Sequence, residues 1–141
     1  MLVTASVVSV LCFVSVWLFV TPQLVSSGVI EPGPFFELMV VLPMPIGLGA
    51  ALVGAATGVI VLVRRTAQVR VPPLLMTLGQ LTTVVLAVAI VLWALEFGST
   101  GWELTALPVS LMLGQVLVAL GLATDVVRRR RRVREQGALG G

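Results

Sequence analysis

The chain has 141 residues, of which 58% are hydrophobic and only 11% are charged, and its mean hydropathy is +1.13. Soluble domains carry about a quarter of their residues as charged ones, so a soluble globular domain and a disordered chain are both excluded. The formal net charge is +3, and all nine cationic residues are arginine. The composition is that of an integral membrane protein.

The residue inventory also removes most kinds of catalytic and cofactor site. Histidine and tyrosine are absent, and Cys12 is the single cysteine. A His-based zinc or haem site, a Ser-His-Asp triad and paired-cysteine redox chemistry therefore all lack essential residues. The sequence also has no glycine-rich phosphate-binding motif. We expect a protein that is not an enzyme and that holds no metal or other cofactor.

Four continuous apolar stretches are long enough to cross a membrane as helices, which takes about 20 residues each. They cover approximately residues 2–21, 38–63, 74–95 and 104–127. Continuous rather than alternating apolar runs favour helices over strands. The first stretch lacks the positively charged segment of a secretory signal, so we interpret it as a retained span. Residues 128–141 follow as a basic cytoplasmic tail.

The connections between the spans are short and contain proline or glycine. Short connections make sequential helices antiparallel neighbours. The sequence therefore predicts an all-α integral membrane protein with four antiparallel transmembrane helices in an up-down-up-down bundle. The Pro72-Pro73 pair suits the first turn of the third helix, where an amide donor is not needed.

The arginines predict the orientation of the bundle. They occupy the loop between spans two and three and the segment after span four: Arg64, Arg65, Arg70, Arg128, Arg129, Arg130, Arg131, Arg132 and Arg134. These two regions share one side of a four-span protein, and the positive-inside rule assigns that side to the cytoplasm. The other side holds an aromatic belt and four acidic residues: Glu31, Glu37, Glu96 and Glu103. We predict a multi-pass protein of a cell or envelope membrane with both termini in the cytoplasm.

Small residues predict where the helices pack, because lipid tails are as apolar as leucine and hydrophobicity alone does not pair the spans. Span one offers Ala5, Ser9 and Cys12. Spans two and four carry the clearest stripes: Gly47, Ala51, Gly54 and Gly58, and Gly114 and Gly121. Their partner is either another span or a second copy of the chain, and we expect a homo-oligomer or a larger membrane complex.

Pro43 and Pro45 interrupt the second span, because each lacks an amide proton and crowds the preceding turn. The sequence leaves open whether they kink the helix or break it. An ordinary kink near the membrane surface is one interpretation. A broken helix that frames a binding site, as in transporters, is the other.

Gln80 and Gln115 are the notable polar residues at membrane depth, and Thr83 lies one turn beyond Gln80. The structural interpretation is a hydrogen bond between helices, and the functional one is a solute site or pore lining. No ionisable residue lies deep within a predicted span, which disfavours proton-coupled transport.

The basic tail anchors the topology and is a candidate for binding anionic lipids of the inner leaflet. Without interleaved aromatic residues it is weak evidence for nucleic acid, which we do not expect as a partner. The leading hypothesis is a small polytopic membrane protein with a non-enzymatic structural or accessory role, acting through helix contacts and a basic cytoplasmic face. Two alternatives remain open: an oligomeric channel or facilitator that uses the kinked second helix and Gln80/Gln115, and a virion or envelope protein with an internal basic tail.

Overall fold

A computed structural model describes residues 1–27, 33–64, 71–98 and 103–139 of the chain. These residues are largely helical, and no strand occurs among them. Within the described segments, four helical stretches are long and apolar enough to cross a membrane: Leu2–Ser26, Glu37–Arg64, Val71–Phe97 and Leu111–Glu135. The prediction of an all-helical chain with four candidate membrane spans is confirmed.

The first span is one helix, α1, over Leu2–Ser27. It is longer than the predicted range because Pro22 lies inside the helix and does not end it. A proline at this position costs the backbone hydrogen bond to the carbonyl four residues earlier. Helices that cross membranes tolerate this loss, because local adjustments and neighbouring groups satisfy the freed backbone.

The second span begins with two short helical pieces. Helix α2 covers Pro34–Phe36, a π-helical turn covers Glu37–Val41, and helix α3 covers Pro43–Arg64. The amide of Leu42 donates to the carbonyl of Glu37 at 2.9 Å, five residues back. Leu42 keeps right-handed helical angles (φ −76°, ψ −47°).

The prolines of the second span therefore deform the helical path without ending it. Pro43 and Pro45 both lie in the first turn of α3, where their missing amide protons leave no carbonyl of α3 without a donor. The π-helical turn before them is the local adjustment that joins the two pieces. The outcome is neither a simple kink in one α-helix nor an outright break.

The third span is helix α4 over Val71–Phe97, and the fourth is helix α5 over Glu103–Leu139. Pro72 and Pro73 lie in the first turn of α4, as predicted. Gly98 follows α4 with a φ of +79°, a conformation that favours glycine. Helix α5 continues past residue 127, the predicted end of the fourth span, into the predicted tail. The basic segment is a helical extension of the fourth span, because arginine and glutamate are good helix formers.

The long helices pack in chain order around a ring. Contacts join α1 to α3, α3 to α4, α4 to α5, and α5 back to α1, whereas the diagonal contact between α1 and α4 is slight. The most extensive contact is between α4 and α5. This order brings one face of every long helix to a shared interior.

Large apolar side chains fill one part of that interior, which we call the aromatic half. One cluster joins Phe13, Ala87 and Leu111 from α1, α4 and α5. A second cluster joins Val16 and Val20 of α1 to Val40 of the π-helical turn. Beside it the Phe19 and Phe36 rings lie 6.4 Å apart between centroids. The buried positions of α1 recur every three or four residues: Ser6, Ser9, Phe13, Val16 and Val20.

Candidate functional site

Six polar side chains of the described segments lie buried between the helices, and we call them the polar cluster. Each is at most 3% exposed: Ser6, Ser9, Thr77, Gln80, Thr83 and Gln115. Three of them, Gln80, Thr83 and Gln115, are the intramembrane polar residues that the sequence singled out. Ser9 was predicted as a small packing residue but not as a polar partner, and Ser6 was not predicted. The spacing from Phe13 and Val16 is the signal that places both serines on the buried face of α1.

Ser9 connects the two glutamines. Its Oγ lies 3.2 Å from Oε1 of Gln115 and 3.4 Å from Oε1 of Gln80. Gln115 also donates from Nε2 to Oγ1 of Thr83 at 2.9 Å. Thr83 in turn donates to the carbonyl of Gly79 at 2.9 Å. The glutamines thus meet through the serine of α1, and the cluster joins α1, α4 and α5.

The number of donor protons in this cluster favours one direction for the chain of hydrogen bonds. Ser9 has a single hydroxyl proton and cannot donate to both amide oxygens at once. The shorter distance assigns that proton to Gln115. Turning the amide of Gln80 by 180° exchanges its oxygen and nitrogen, so that Gln80 donates to Ser9. Each group then gives one proton to the next, from Gln80 through Ser9, Gln115 and Thr83 to the Gly79 carbonyl.

Two polar atoms of the cluster have no partner among the described residues: Oγ of Ser6 and Nε2 of Gln80. Gln80 packs against Gly54 of α3, where an added Cβ would lie 3.1 Å from Cγ and 3.3 Å from Nε2 of Gln80. Turning the amide replaces the unpaired nitrogen with an unpaired oxygen. In either orientation, one end of Gln80 stays without a hydrogen bond beside Gly54. Buried unpaired polar atoms are unfavourable, so this is the least satisfied part of the interior.

The small residues that the sequence proposed for helix packing are all buried. They are Gly47, Ala51, Gly54, Gly58, Gly114 and Gly121. A Cβ added at Gly58 would overlap Thr77, and one added at Gly114 would overlap Thr83. One added at Gly121 would lie 2.8 Å from Met76. These glycines contact other helices of the same chain, which answers the question whether their partner is another span.

The buried face of α1 agrees only in part with the predicted one. Of the three predicted residues Ser9 is buried, whereas Ala5 and Cys12 are only partly buried, and Ser6 and Phe13 are buried beside Ser9. Small residues on α1 would allow its backbone to approach a neighbouring helix closely. Here the opposite residue, Gly47 of α3, supplies the space, since its added Cβ would lie 3.0 Å from Cys12 and 3.2 Å from Phe13. A large side chain on α1 therefore packs against a glycine on α3.

The described interior offers little acid–base or metal chemistry. None of the buried polar residues in the described segments is ionisable. No group of three or more His, Cys, Asp or Glu residues that could hold a metal ion occurs among the described residues. The interior can exchange hydrogen bonds, and its described side chains carry no charge.

The arginines of α5 form the most strongly charged described surface. Arg128, Arg129, Arg130, Arg131, Arg132 and Arg134 are all exposed, as is Arg64 at the end of α3. Nε of Arg129 donates to Oδ2 of Asp125 at 2.8 Å, an ion pair between side chains four residues apart on α5. The remaining predicted anchors, Arg65 and Arg70, lie outside the described residues, and so does Glu31 of the opposite side.

A cavity of about 310 Å³ lies where α4 begins and the extension of α5 leaves the bundle. It is lined by Pro72, Pro73, Asp125, Arg128, Arg129 and Arg132. A neighbouring groove of about 410 Å³ is lined by Val71, Pro72, Ala123, Thr124, Val127, Arg128 and Arg131. The positive charge of the extension therefore borders an apolar surface.

Comparison of the chain with protein-family models, with curated proteins and with solved structures finds no match. The features of the chain that bear on its function are the polar cluster, the glycine contacts and the arginine-lined end of α5.

Proposed function

We propose that this protein is a multi-pass membrane protein with a non-enzymatic structural or accessory role. Its four spans form an antiparallel bundle, and both termini lie in the cytoplasm. The bundle presents an aliphatic surface to lipid and a basic helical extension to the cytoplasm. Its partners are the bilayer itself, anionic lipids near the extension, and further membrane-protein subunits.

Contacts between neighbouring helices support the antiparallel order. Between α3 and α4, Gly54 faces Gln80 and Gly58 faces Thr77, so residue numbers rise in one helix as they fall in the other. Between α4 and α5, the cavity that Pro72 shares with Asp125 lies at one end. The cluster of Ala87 with Leu111 lies farther along both helices.

The observation that most supports a structural role is that the packing residues of the spans face inward. The glycine stripes and the polar cluster face other helices of the same chain. Apart from the arginine-bearing end of α5, the large residues that remain exposed on the described spans are mostly aliphatic or aromatic. The packing and polar residues of the described spans thus contact one another, and the outer surfaces that remain are apolar and compatible with lipid. Such a bundle is suited to hold the extension of α5 at a membrane surface.

The orientation is testable with single cysteines. In a Cys12→Ser background, a Ser99→Cys variant should react with a membrane-impermeant maleimide on intact cells. A Gly141→Cys variant should react only after the membrane is permeabilised. The opposite pattern would contradict the arginine-based orientation.

The accessory role is testable in native membranes. The protein should be extracted in native-lipid discs as a complex larger than one chain, and removal of residues 128–141 should reduce the recovery of that complex. Because the glycine stripes are buried within the bundle, a second copy or another subunit would contact the aliphatic outer surface. Migration as a single chain in every native-lipid preparation would rule out both the oligomer and the accessory role.

A small facilitator is the second candidate function, and the unpaired atoms of Ser6 and Gln80 favour it. Polar atoms without partners inside a membrane are costly unless water or a solute reaches them. Vesicles containing the protein should take up glycerol and urea no faster than empty vesicles if the role is structural. Protein-dependent uptake that Gln80→Met lowers would instead establish the facilitator.

A further inference from the structure

The cavity at the arginine end has the chemistry of an anion site. Three arginines line it, against one carboxylate, Asp125. Asp125 accepts from Nε of Arg129, which fixes that side chain and leaves the four terminal N–H donors of its guanidinium free. Arg128 and Arg132 lie one turn apart on the same face of α5 and make no ion pair with a described residue. Guanidinium groups present forked donors that match phosphate oxygens.

The wall opposite these arginines is formed by Pro72 and Pro73 at the start of α4. Neither proline has an amide proton, so this wall provides no backbone donor of its own. Recognition of an anion in the cavity therefore depends on the guanidinium groups of α5. The prolines supply an apolar surface and the positive end of the α4 dipole.

The adjoining groove indicates what kind of anion fits. Pro72 and Arg128 line both the cavity and the groove, so the two lie side by side. Most of the groove is apolar, with Val71 and Val127 each 51% exposed. The combined site is charged at one end and apolar along the other. A free phosphate would occupy only the charged end, whereas an amphipathic ligand would fill both.

We propose that the cavity and groove together bind one anionic phospholipid. Its headgroup phosphate lies among Arg128, Arg129 and Arg132, and an acyl chain follows the groove past Ala123 and Val127. The inference deepens the proposed function, because it assigns to the basic extension a specific lipid site at the membrane surface. It does not depend on which side of the membrane that surface faces.

The test uses the purified full-length chain and native mass spectrometry of the lipid that it retains. Phosphatidylglycerol is the probe, and zwitterionic phosphatidylcholine is the neutral comparison. The site variant is Arg128→Gln with Arg132→Gln. The matched control is Arg130→Gln with Arg134→Gln, which removes the same charge at the same spacing from positions that line neither the cavity nor the groove.

Each arginine near a bound headgroup is worth about a fivefold gain in affinity. The site variant should therefore weaken phosphatidylglycerol retention about 25-fold, and the control no more than about threefold because its charges are screened by solvent. Equal losses in the two variants would mean that the extension acts as a diffuse charge, and this would overturn the site. All four substituted residues are exposed, so the unfolding midpoint should not change.

A second comparison separates a lipid from free phosphate. Ala123→Phe should fill the groove and lower phosphatidylglycerol retention, whereas Ala119→Phe, on an exposed position that lines neither the groove nor the cavity, should not. Millimolar inorganic phosphate should compete weakly with the lipid in the unmodified chain. Full displacement by inorganic phosphate, together with no effect of Ala123→Phe, would show that the site takes free phosphate and would overturn the lipid assignment.

Discussion

The two halves of the bundle interior are held together in different ways. In the aromatic half, large side chains such as Phe13, Val16 and Leu111 fill the space between the helices. In the other part, which we call the glycine half, the interior contains Gly54, Gly58, Gly79, Gly114, Gly121 and the polar cluster. There the backbones themselves come close, since a Cβ added at Gly79 would lie 2.5 Å from the carbonyl oxygen of Gly114.

This difference teaches how a chain without a hydrophobic driving force between its spans can still specify one arrangement. In lipid, burial of an aliphatic side chain gains little over its exposure to acyl chains, so shape and hydrogen bonds decide. The aromatic half offers shape through bulky side chains. The glycine half offers close backbone contact and hydrogen bonds that need α1, α4 and α5 in one register.

The largest loss of stability should follow from adding a methyl group to a glycine of the glycine half. In Gly114→Ala the new Cβ would lie 2.6 Å from the carbonyl oxygen of Gly79 and 2.8 Å from the amide of Thr83. These are backbone atoms that cannot turn away, so α4 and α5 must separate. We expect a loss of about 3 kcal/mol in the free energy of unfolding, the upper end of overpacking costs.

Equilibrium unfolding in mixed detergent micelles measures this loss. The matched control is Gly49→Ala, whose added Cβ meets nothing within 4 Å. It should leave stability unchanged or raise it slightly through helix propensity. If both glycine variants were equally stable, close backbone contact would not be what holds the glycine half together.

The second largest loss of stability should follow from a substitution in the aromatic half. Phe13→Ala leaves a void between α1, α4 and α5, where Phe13 is 3% exposed. In water such a change costs about 3–5 kcal/mol, but in lipid the transfer part of that cost is mostly absent. We therefore expect about 2 kcal/mol, from the lost packing contacts. Leu11→Ala, at a position that is 64% exposed, should change stability very little in the same unfolding assay.

The same contrast explains what the sequence could predict. The glycine stripe of α3 was predictable because small residues at helical spacing within an apolar run have few other uses. The partners of the glutamines were not, because serine interrupts an apolar run too weakly to stand out. Ser9 was predicted only as a small packing residue, and Ser6 was not predicted, because the polar role of both depends on their register with Phe13 on the buried face of α1.

The ends of the helices were the least predictable part of the fold. The sequence placed the end of the first span before Pro22 and separated residues 128–141 as a tail, whereas α1 continues to Ser27 and α5 to Leu139. Hydropathy marks where a chain leaves the lipid, but backbone hydrogen bonding decides where a helix ends. The cavity at the arginine end could not be predicted for the same reason, because it forms only where the arginines continue on a helix beside Pro72.

The third prediction compares the two glutamines of the glycine half. Gln115 exchanges hydrogen bonds with Ser9 and Thr83, whereas Gln80 has one long contact and one unpaired end of its amide. Methionine is unbranched and similar in length, so it removes the amide with little change in shape. Gln115→Met should lower the free energy of unfolding by about 1 kcal/mol. Gln80→Met should have no effect or raise stability, because it removes an unpaired polar group.

Unfolding of the two methionine variants under identical conditions checks this ranking. An equal loss in both would mean that Gln80 is better satisfied than its contacts suggest, with water as its missing partner. The polar cluster would then extend towards Ser6, and the facilitator would gain support over the structural role.

The smallest effect on stability should come from the end of the glycine half, where the bundle meets the extension. Asp125→Asn removes the ion pair with Arg129, in which the two side chains are 27% and 71% exposed. Exposed pairs of this kind contribute less than about 0.5 kcal/mol, so the unfolding curve should barely move. Anionic-lipid retention should instead increase, because the substitution removes the carboxylate from the arginine cavity and frees Arg129. A marked loss of stability would show that Asp125 holds the extension in place, and unchanged retention would show that its charge does not oppose the lipid phosphate.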